Sequence, residues 1–313
     1  MRYKLLLLLF LVPVAILGQV PTPQALPGDT ALFSFGIFAD CQYCECSNSG
    51  NRFYKLSKIK LHNAVHRFNT LPLKFVVNLG DLINEGAASY DTLIPILKKL
   101  KHPLHTVYGN HDFLLNEEAD KQVRQAWGLN KLYYSFSQPG WRFIVLNAND
   151  VGIAAYPEGS KEYAEGNAYI EQLRLNYAGN TNAYNGALGT QQMKWLRKEL
   201  DEAARKNERV IVMGHMPIKP TGNGSNLWND RELEVILLRY PQVAAYFCGH
   251  HHPGQYEESD GIHYLNFLGM VETSITAFSV IHIFGDRIEV QGFGREESRV
   301  LPLLRDLAPP VAE

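Results

Sequence analysis

The strongest constraint on this chain is a unit that recurs five times: a short apolar run that stops in metal-friendly polar residues, four times by way of a glycine. The run 33–38 leads into Asp40-Cys41-Gln42, and 75–79 into Gly80-Asp81. The run 104–108 leads into Gly109-Asn110-His111-Asp112 and 210–213 into Gly214-His215. The run 243–247 passes through Cys248 into Gly249-His250-His251-His252. Between the runs, segments 53–68, 90–100, 191–206 and 232–240 carry apolar residues at helical spacing. Strands alternating with helices predict βαβ units and a mostly parallel core. From residue 262 the pattern changes. Runs at 262–268, 277–284 and 287–293, with Gly285-Asp286 as a tight turn, predict an antiparallel continuation of a sheet.

In open α/β sheets, ligands bind outside the carboxyl ends of the strands. Five such ends deliver Asp40, Gln42, Asp81, Asn110, His215, His250 and His252 to one crevice. Glycines before four of the clusters let the chain turn sharply and pass close to an ion. Mixed nitrogen and oxygen donors suit Mn²⁺, Zn²⁺ or Fe²⁺, whereas Ca²⁺ takes oxygen alone. Seven donors are too many for one tetrahedral zinc and enough for two ions sharing a carboxylate. Two ions ~3.5–4 Å apart can clamp the attacking and leaving oxygens of an in-line displacement at phosphorus. Any single Gly-Asp or Gly-His is commonplace. The ordered series, each member at the end of a predicted strand, is what points to a dinuclear centre.

Charge narrows the partners. With 30 basic and 32 acidic side chains the net charge is −2, so no basic field exists to draw nucleic acid through its phosphates. A small-molecule phosphate ester or nucleotide conjugate is the expected partner. Met1-Arg2-Tyr3-Lys4, the apolar stretch 5–17 and Gly18 have the shape of a signal peptide over 1–18, followed by a Pro-rich leader over 19–30. The stretch falls short of the ~20 residues that span a bilayer, so a secreted or periplasmic protein without a stable membrane span is expected. The main domain is expected over 31–300, with a tail at 301–313. Within it, 151–189 is rich in Gly, Asn, Tyr and Ala, is helical around 169–175, and reads as either a lid or a surface excursion. An oxidising compartment would permit a disulfide among Cys41, Cys44, Cys46 and Cys248. Cys44 and Cys46 are too close in sequence to pair easily, so Cys41 or Cys248 is the expected partner.

Taken in order, the clusters resemble the pattern of the calcineurin-like metallophosphoesterases: Asp-x-His, Gly-Asp-x-x-Asp, Gly-Asn-His-Asp/Glu, Gly-His and Gly-His-x-His. The resemblance covers roughly 33–295. It implies a four-layer αββα sandwich with mixed β-sheets and a dinuclear metal site at the strand C-terminal ends. It implies one ion on Asp40, Gln42, Asp81 and His252, and a second on Asp81, Asn110, His215 and His250, with Asp81 as the bridge. The implied chemistry is in-line attack of a metal-bridging hydroxide on a phosphoanhydride or phosphodiester. Asn110 and His111 would stabilise the developing charge, and His111 would also assist the leaving group.

Two departures from the pattern are informative. Gln42 replaces the usual histidine, as in the manganese-dependent ADP-ribose/CDP-alcohol diphosphatases. Tyr184-Asn185-Gly186, the stretch 210–218, Leu227-Trp228-Asn229, the segment 249–256 and the stretch 268–273 are similar to that subgroup as well. The resemblance implies two Mn²⁺ ions, with Zn²⁺ or Fe²⁺ as alternatives, and nucleoside diphosphate conjugates as substrates. A broad-specificity phosphodiesterase or phosphomonoesterase is the alternative, and a non-catalytic binding module has no need of seven convergent donors. Asn84 stands where the family has an Asp that orients the Gly-Asn-His histidine and where purple acid phosphatases have an iron-binding Tyr. His111 thereby loses one partner for its imidazolium, and Asp112 is the candidate to replace it. Asn185, Trp228, Tyr256 and His251 are candidate substrate contacts; each reads equally as packing or a turn.

Overall fold

A computed structural model of the chain describes residues 30–114, 117–129, 131–176 and 178–306. The expected signal peptide and residues 307–313 of the tail lie outside the described residues. The chain runs β1 (Phe33–Phe38), α1 (Ser57–Phe68), β2 (Val76–Asn78), α2 (Ala87–Leu97), β3 (Leu104–Thr106) and α3 (Glu117–Ala126). A hairpin follows, β4 (Tyr134–Gln138) and β5 (Trp141–Val145), then β6 (Val151–Gly152), α4 (Lys161–Leu175) and β7 (Gly186–Ala187). The alternation resumes with α5 (Thr190–Arg205), β8 (Arg209–Met213), α6 (Asp230–Leu238) and β9 (Val243–Cys248). The last strands are β10 (Gln255–Ser259), β11 (Ile262–Asn266), β12 (Ala277–Ile283), β13 (Arg287–Gly294) and β14 (Arg299–Pro302).

Two six-stranded sheets carry the site. One has the order β14-β13-β12-β1-β2-β3, with β1, β2 and β3 parallel. The other has the order β10-β11-β9-β8-β5-β4, with β5, β8, β9 and β11 parallel. Strand periodicity sorts the layers. Phe33, Phe35 and Ile37 alternate towards the second sheet and meet Phe143, Val145, Ile211 and Met213. Phe38 turns the other way, into a core built with Leu61, Val65 and Phe68 of α1 and Leu93 of α2. On the far side Met193, Leu196 and Leu200 of α5 and Leu233 of α6 cover Val210 and Val212. The result is the four-layer αββα sandwich that the family resemblance implies.

Two expectations are corrected, and one hairpin is added to them. Of the runs from 262, those at 277–284 and 287–293 continue a sheet antiparallel as expected, but 262–268 does not. β10 and β11 form a hairpin, which turns β11 to run parallel to β9 in the second sheet; β12, β13 and β14 extend the first sheet antiparallel. The hairpin β4–β5 carries a Pro139-Gly140 turn signal, with Gly140 at φ 77°, that the alternating-helix reading passed over. Cys44 and Cys46 are bonded to each other, with Cα atoms 5.1 Å apart, inside the range a disulfide bridges. Cys41 and Cys248 are buried free thiols.

At Gly36 of β1 a Cβ would lie 2.7 Å from the Phe68 ring, which is locked in the α1 core. Gly36→Ala is expected to destabilise the fold by about 1–3 kcal/mol through overpacking. Urea unfolding should show a lower midpoint at unchanged slope.

Candidate metal centre

The donor-bearing loops leave β1, β2, β3, β8 and β9 at their carboxyl ends. Four of the expected donors sit in left-handed backbone: Asp40 (φ 49°), Gln42 (φ 42°), Asp81 (φ 52°) and His250 (φ 71°). Such a conformation costs an L-residue roughly 1–2 kcal/mol and clusters at functional sites. Asp40 and Gln42, two apart, are both buried beside the cleft, while Cys41 between them packs into the α1 core. Burial pushes the Cys41 thiol up, and it faces the Ser57 carbonyl, so it is no thiolate donor.

The side chains converge. Asp81 Oδ2 accepts from Gln42 Nε2 at 3.1 Å and lies 3.3 Å from His215 Nε2. His250 Nδ1 is 3.2 Å from His215 Nε2, and His252 Nε2 is 3.5 Å from Asp40 Oδ1. The His250 main-chain N–H donates to both oxygens of Asp40, at 3.2 and 3.0 Å. Asp81, His215 and His250 each bring one ligand atom within 4.8 Å of the others, which one ion can span.

Every histidine here has one ring nitrogen engaged by an oxygen acceptor and the other turned inward. His215 Nδ1 meets the Leu79 carbonyl at 2.8 Å, His250 Nε2 meets Asn185 Oδ1 at 3.0 Å, and His252 Nδ1 meets Glu272 Oε1 at 2.8 Å. This outer layer selects the tautomer that leaves a lone pair for a metal. Two further atoms test the fit. Gln42 Oε1 and Asn110 Oδ1 are buried without any hydrogen-bond partner, a costly state that a cation relieves. Glycines make the room: a Cβ at Gly80 would reach 2.6 Å from His215 Nδ1, and one at Gly249 2.5 Å from Asp40 Oδ2. The residues present therefore fit a mixed N/O metal centre.

The remaining candidates separate. His111 lines the cleft; its N–H donates to Asp81 Oδ1 at 2.8 Å, and its Nδ1 meets the Asn84 carbonyl at 2.8 Å. The partner lost with the family's Asp is thus replaced by the main chain of Asn84. Asp112 does not supply it. Its carboxylate is fully buried and accepts from the N–H groups of Asp81, Leu82 and Gly109, so it holds loops and is not a catalytic group. Asn185 is buried behind His250 and orients that ring instead of meeting substrate. Trp228 packs with Ile170 and Ala187, stacks on Tyr169, and donates to the Asn182 carbonyl, away from the cleft. Tyr256, on β10, bonds His263 and packs on the inter-sheet core. Of these four only His251 lines the cleft, beside Ser225.

The cleft over the donors has a volume of about 970 Å³. Arg52, Phe113, Tyr184 and Glu272, which the sequence reading did not single out as site residues, also line it. Tyr184 is 45 % exposed, with its ring 5.4 Å from that of His250. The region 151–189 supplies Ala154 and Tyr184 to this wall.

The sequence model of the calcineurin-like phosphoesterase family matches residues 33–254. This chain belongs to the calcineurin-like phosphoesterases. The manganese-dependent ADP-ribose/CDP-alcohol diphosphatase of Homo sapiens is 27 % identical to it, over 92 % of this chain and 98 % of its own. The enzyme of the same name from Arabidopsis thaliana is 30 % identical, over 85 % of this chain and 96 % of its own. A dimetal phosphatase from Danio rerio superposes with a TM-score of 0.76 at 26 % identity, covering 87 % of this chain and 99 % of that one.

The electrostatics of this phosphoesterase suit cation binding. Burial opposes charge on His215, but Asp81 outweighs it and raises the imidazole to about 9. Burial likewise opposes charge on His252, which Asp40 and Glu272 raise to about 9. His250 moves the other way: burial and then the neighbouring His215 hold it well below the usual value. A cation bound between these groups displaces the protons on His215 and His252. Since both are raised, those protons compete with metal throughout the range below about pH 9. Apparent Mn²⁺ affinity should therefore rise from pH 6 to pH 9, about tenfold per unit for each proton displaced. Calorimetry at pH 7.5 in buffers of different ionisation enthalpy should register that release.

Asn185→Ala removes the acceptor that orients His250. Loss of such an outer partner is expected to weaken metal binding ~10–100-fold. Equilibrium dialysis against Mn²⁺ measures it, and unchanged affinity would show that His250 needs no such support.

Proposed function

We propose that this phosphoesterase is a two-metal hydrolase acting on nucleoside diphosphate conjugates of the ADP-ribose/CDP-alcohol type, with Mn²⁺ as its preferred ion. The observation that carries the reading is the cleft itself. Its floor gathers Gln42, Asp81, Asn110, His250 and His252, and its walls offer a guanidinium and aromatic rings in a space far larger than a phosphate group needs. The names of the relatives and the Gln42 that replaces a histidine support the subgroup.

In this reading Asp40, Gln42, Asp81 and His252 hold one ion, and Asp81, Asn110, His215 and His250 the other. When bound, two divalent cations lower the pKa of water and neutralise charge on a phosphoryl group. The chain supplies the rest. His111 N–H holds Asp81 Oδ1, leaving the carboxylate little freedom to swing. The His111 ring, fixed by the Asn84 carbonyl on Nδ1, presents Nε2 as the nitrogen available to the cleft. In its cationic form it donates that proton to the leaving oxygen. The carbonyl accepts from Nδ1–H in either protonation state, so it orients the ring without adding a carboxylate's charge. Arg52, 3.6 Å from the Glu272 carboxylate, is placed to meet a second phosphate, and Tyr184 and Phe113 offer faces for a base or ribose.

The test uses protein stripped of metal, reloaded with Mn²⁺, and offered ADP-ribose, CDP-choline, a bis-aryl phosphodiester and an aryl monoester. Cleavage of the two nucleotide conjugates in preference to the aryl esters is expected. Tyr184→Ala should raise KM for the conjugates and leave the aryl diester unaffected. His111→Ala should retain bound metal and lower kcat ~10²–10⁴-fold. Turnover of the aryl esters alone would overturn the substrate assignment and leave the metal chemistry standing.

A further inference from the structure

Lys60 lies on the buried face of α1, and its ammonium is surrounded by four consecutive main-chain carbonyls. Nζ lies 2.8 Å from the oxygen of Met270, 3.1 Å from Val271, 3.4 Å from Glu272 and 2.6 Å from Thr273. Among the described residues no carboxylate lies within ion-pair distance of it. Burial pulls its pKa down to about 8, which leaves it charged at neutral pH. A ring of carbonyl dipoles around a cation is the chemistry by which potassium filters replace an ion's hydration shell. Three N–H donors face four oxygens, the Glu272 carbonyl being the most distant, so main-chain carbonyls stand in for the water that would otherwise surround the ammonium.

The caged segment touches the metal centre from two directions. Met270 and Val271 donate their N–H groups to the carbonyls of Ala39 and Asp40, each at 2.9 Å. Glu272 accepts from His252 Nδ1. Arg295 holds the start of the same segment through the Gly269 carbonyl. Glu272 is also met by Arg52 at 3.6 Å and Thr273 N–H by the Asn51 carbonyl, so opening the cage loosens Glu272, and with it His252, without releasing the whole segment, while the partners of His215 and His250, Leu79 and Asn185, lie elsewhere.

We propose that Lys60 is a positioning residue for one half of the metal centre: its ammonium is a tethered cation that fixes the turn 270–273 so that Glu272 holds His252 towards Asp40. This inference rests on the two-ion reading above. It separates from a purely stabilising role because it affects one ion and not the other, and because any small cation should substitute.

Mn²⁺ binding to the full chain, followed by the paramagnetic resonance of free Mn²⁺ in choline chloride buffer, tests it. The wild-type chain should bind two ions; one or none overturns the two-ion reading and this inference with it. Lys60→Ala should keep one ion at wild-type affinity and bind the other ~10–100-fold more weakly. Replacing choline with K⁺ or methylammonium at equal ionic strength should restore the weak ion, because either fits where choline does not. Glu272→Gln leaves the cage intact and should weaken the same single ion without any response to K⁺. Should Lys60→Ala fold only with K⁺ or methylammonium present, the cage is supported; no folding in either overturns it. Equal loss of both ions, no loss, absence of rescue, or two tight ions in Glu272→Gln each overturns the assignment.

Discussion

The carboxylate of Asp112 is the tie on which the centre depends. It sits with no exposure between the loop after β2 and the loop after β3, and its two oxygens collect main-chain N–H groups from both. Tyr90 of α2 adds its hydroxyl. Losing this acceptor would strand three buried amides at once, at about 1–3 kcal/mol for each group left unsatisfied. Gly109 is what allows the loops to close, since a Cβ there would run into Asp81. Asp81 then stands at a fixed point, in contact distance of Gln42, His111 and His215. The sheets bring the loops to the same end, and Asp112 sets their separation.

The donors themselves were legible because strand ends are local events: an apolar run, a glycine and a polar residue lie side by side in the chain. What orients them was not. Glu272 stands twenty positions from His252, and Asn185 sixty-five from His250. Asn185 reads from the sequence as a substrate contact or a turn, because nothing local tells an amide so far from the clusters that it will face His250. Asp112 failed for the same reason, adjacent to His111 in sequence and engaged elsewhere in space. The direction of β11 could not be read from its own residues either; it follows from the hairpin that returns the chain, a long-range pairing. Lys60 left no trace in any motif, since a lysine in an amphipathic helix ordinarily points to solvent.

The irregular region between β5 and α5 is part of the centre's support as well as its wall. α4 comes so close to β6 that a side chain at Gly166 would meet the backbone of Gly152. Trp228, from the second-sheet side, fills the space beside Tyr169 and Ala187 and anchors this packing. Through it the segment delivers two neighbours to different duties: Tyr184 lines the cleft, and Asn185 steadies a ring behind it.

The left-handed backbone at Asp40, Gln42, Asp81 and His250 has a consequence for anyone altering this molecule. Glycine would sit more comfortably at each of the four positions, yet it would delete the donor; any residue that relaxed the dihedral would swing the donor aside. Thermal robustness cannot be improved where the chemistry resides, because comfort and aim are opposed there. The outer helices carry no such conflict, and exposed apolar positions such as Leu175 and Val235 are open to polar replacement. An engineer would harden the shell and leave the loops strained.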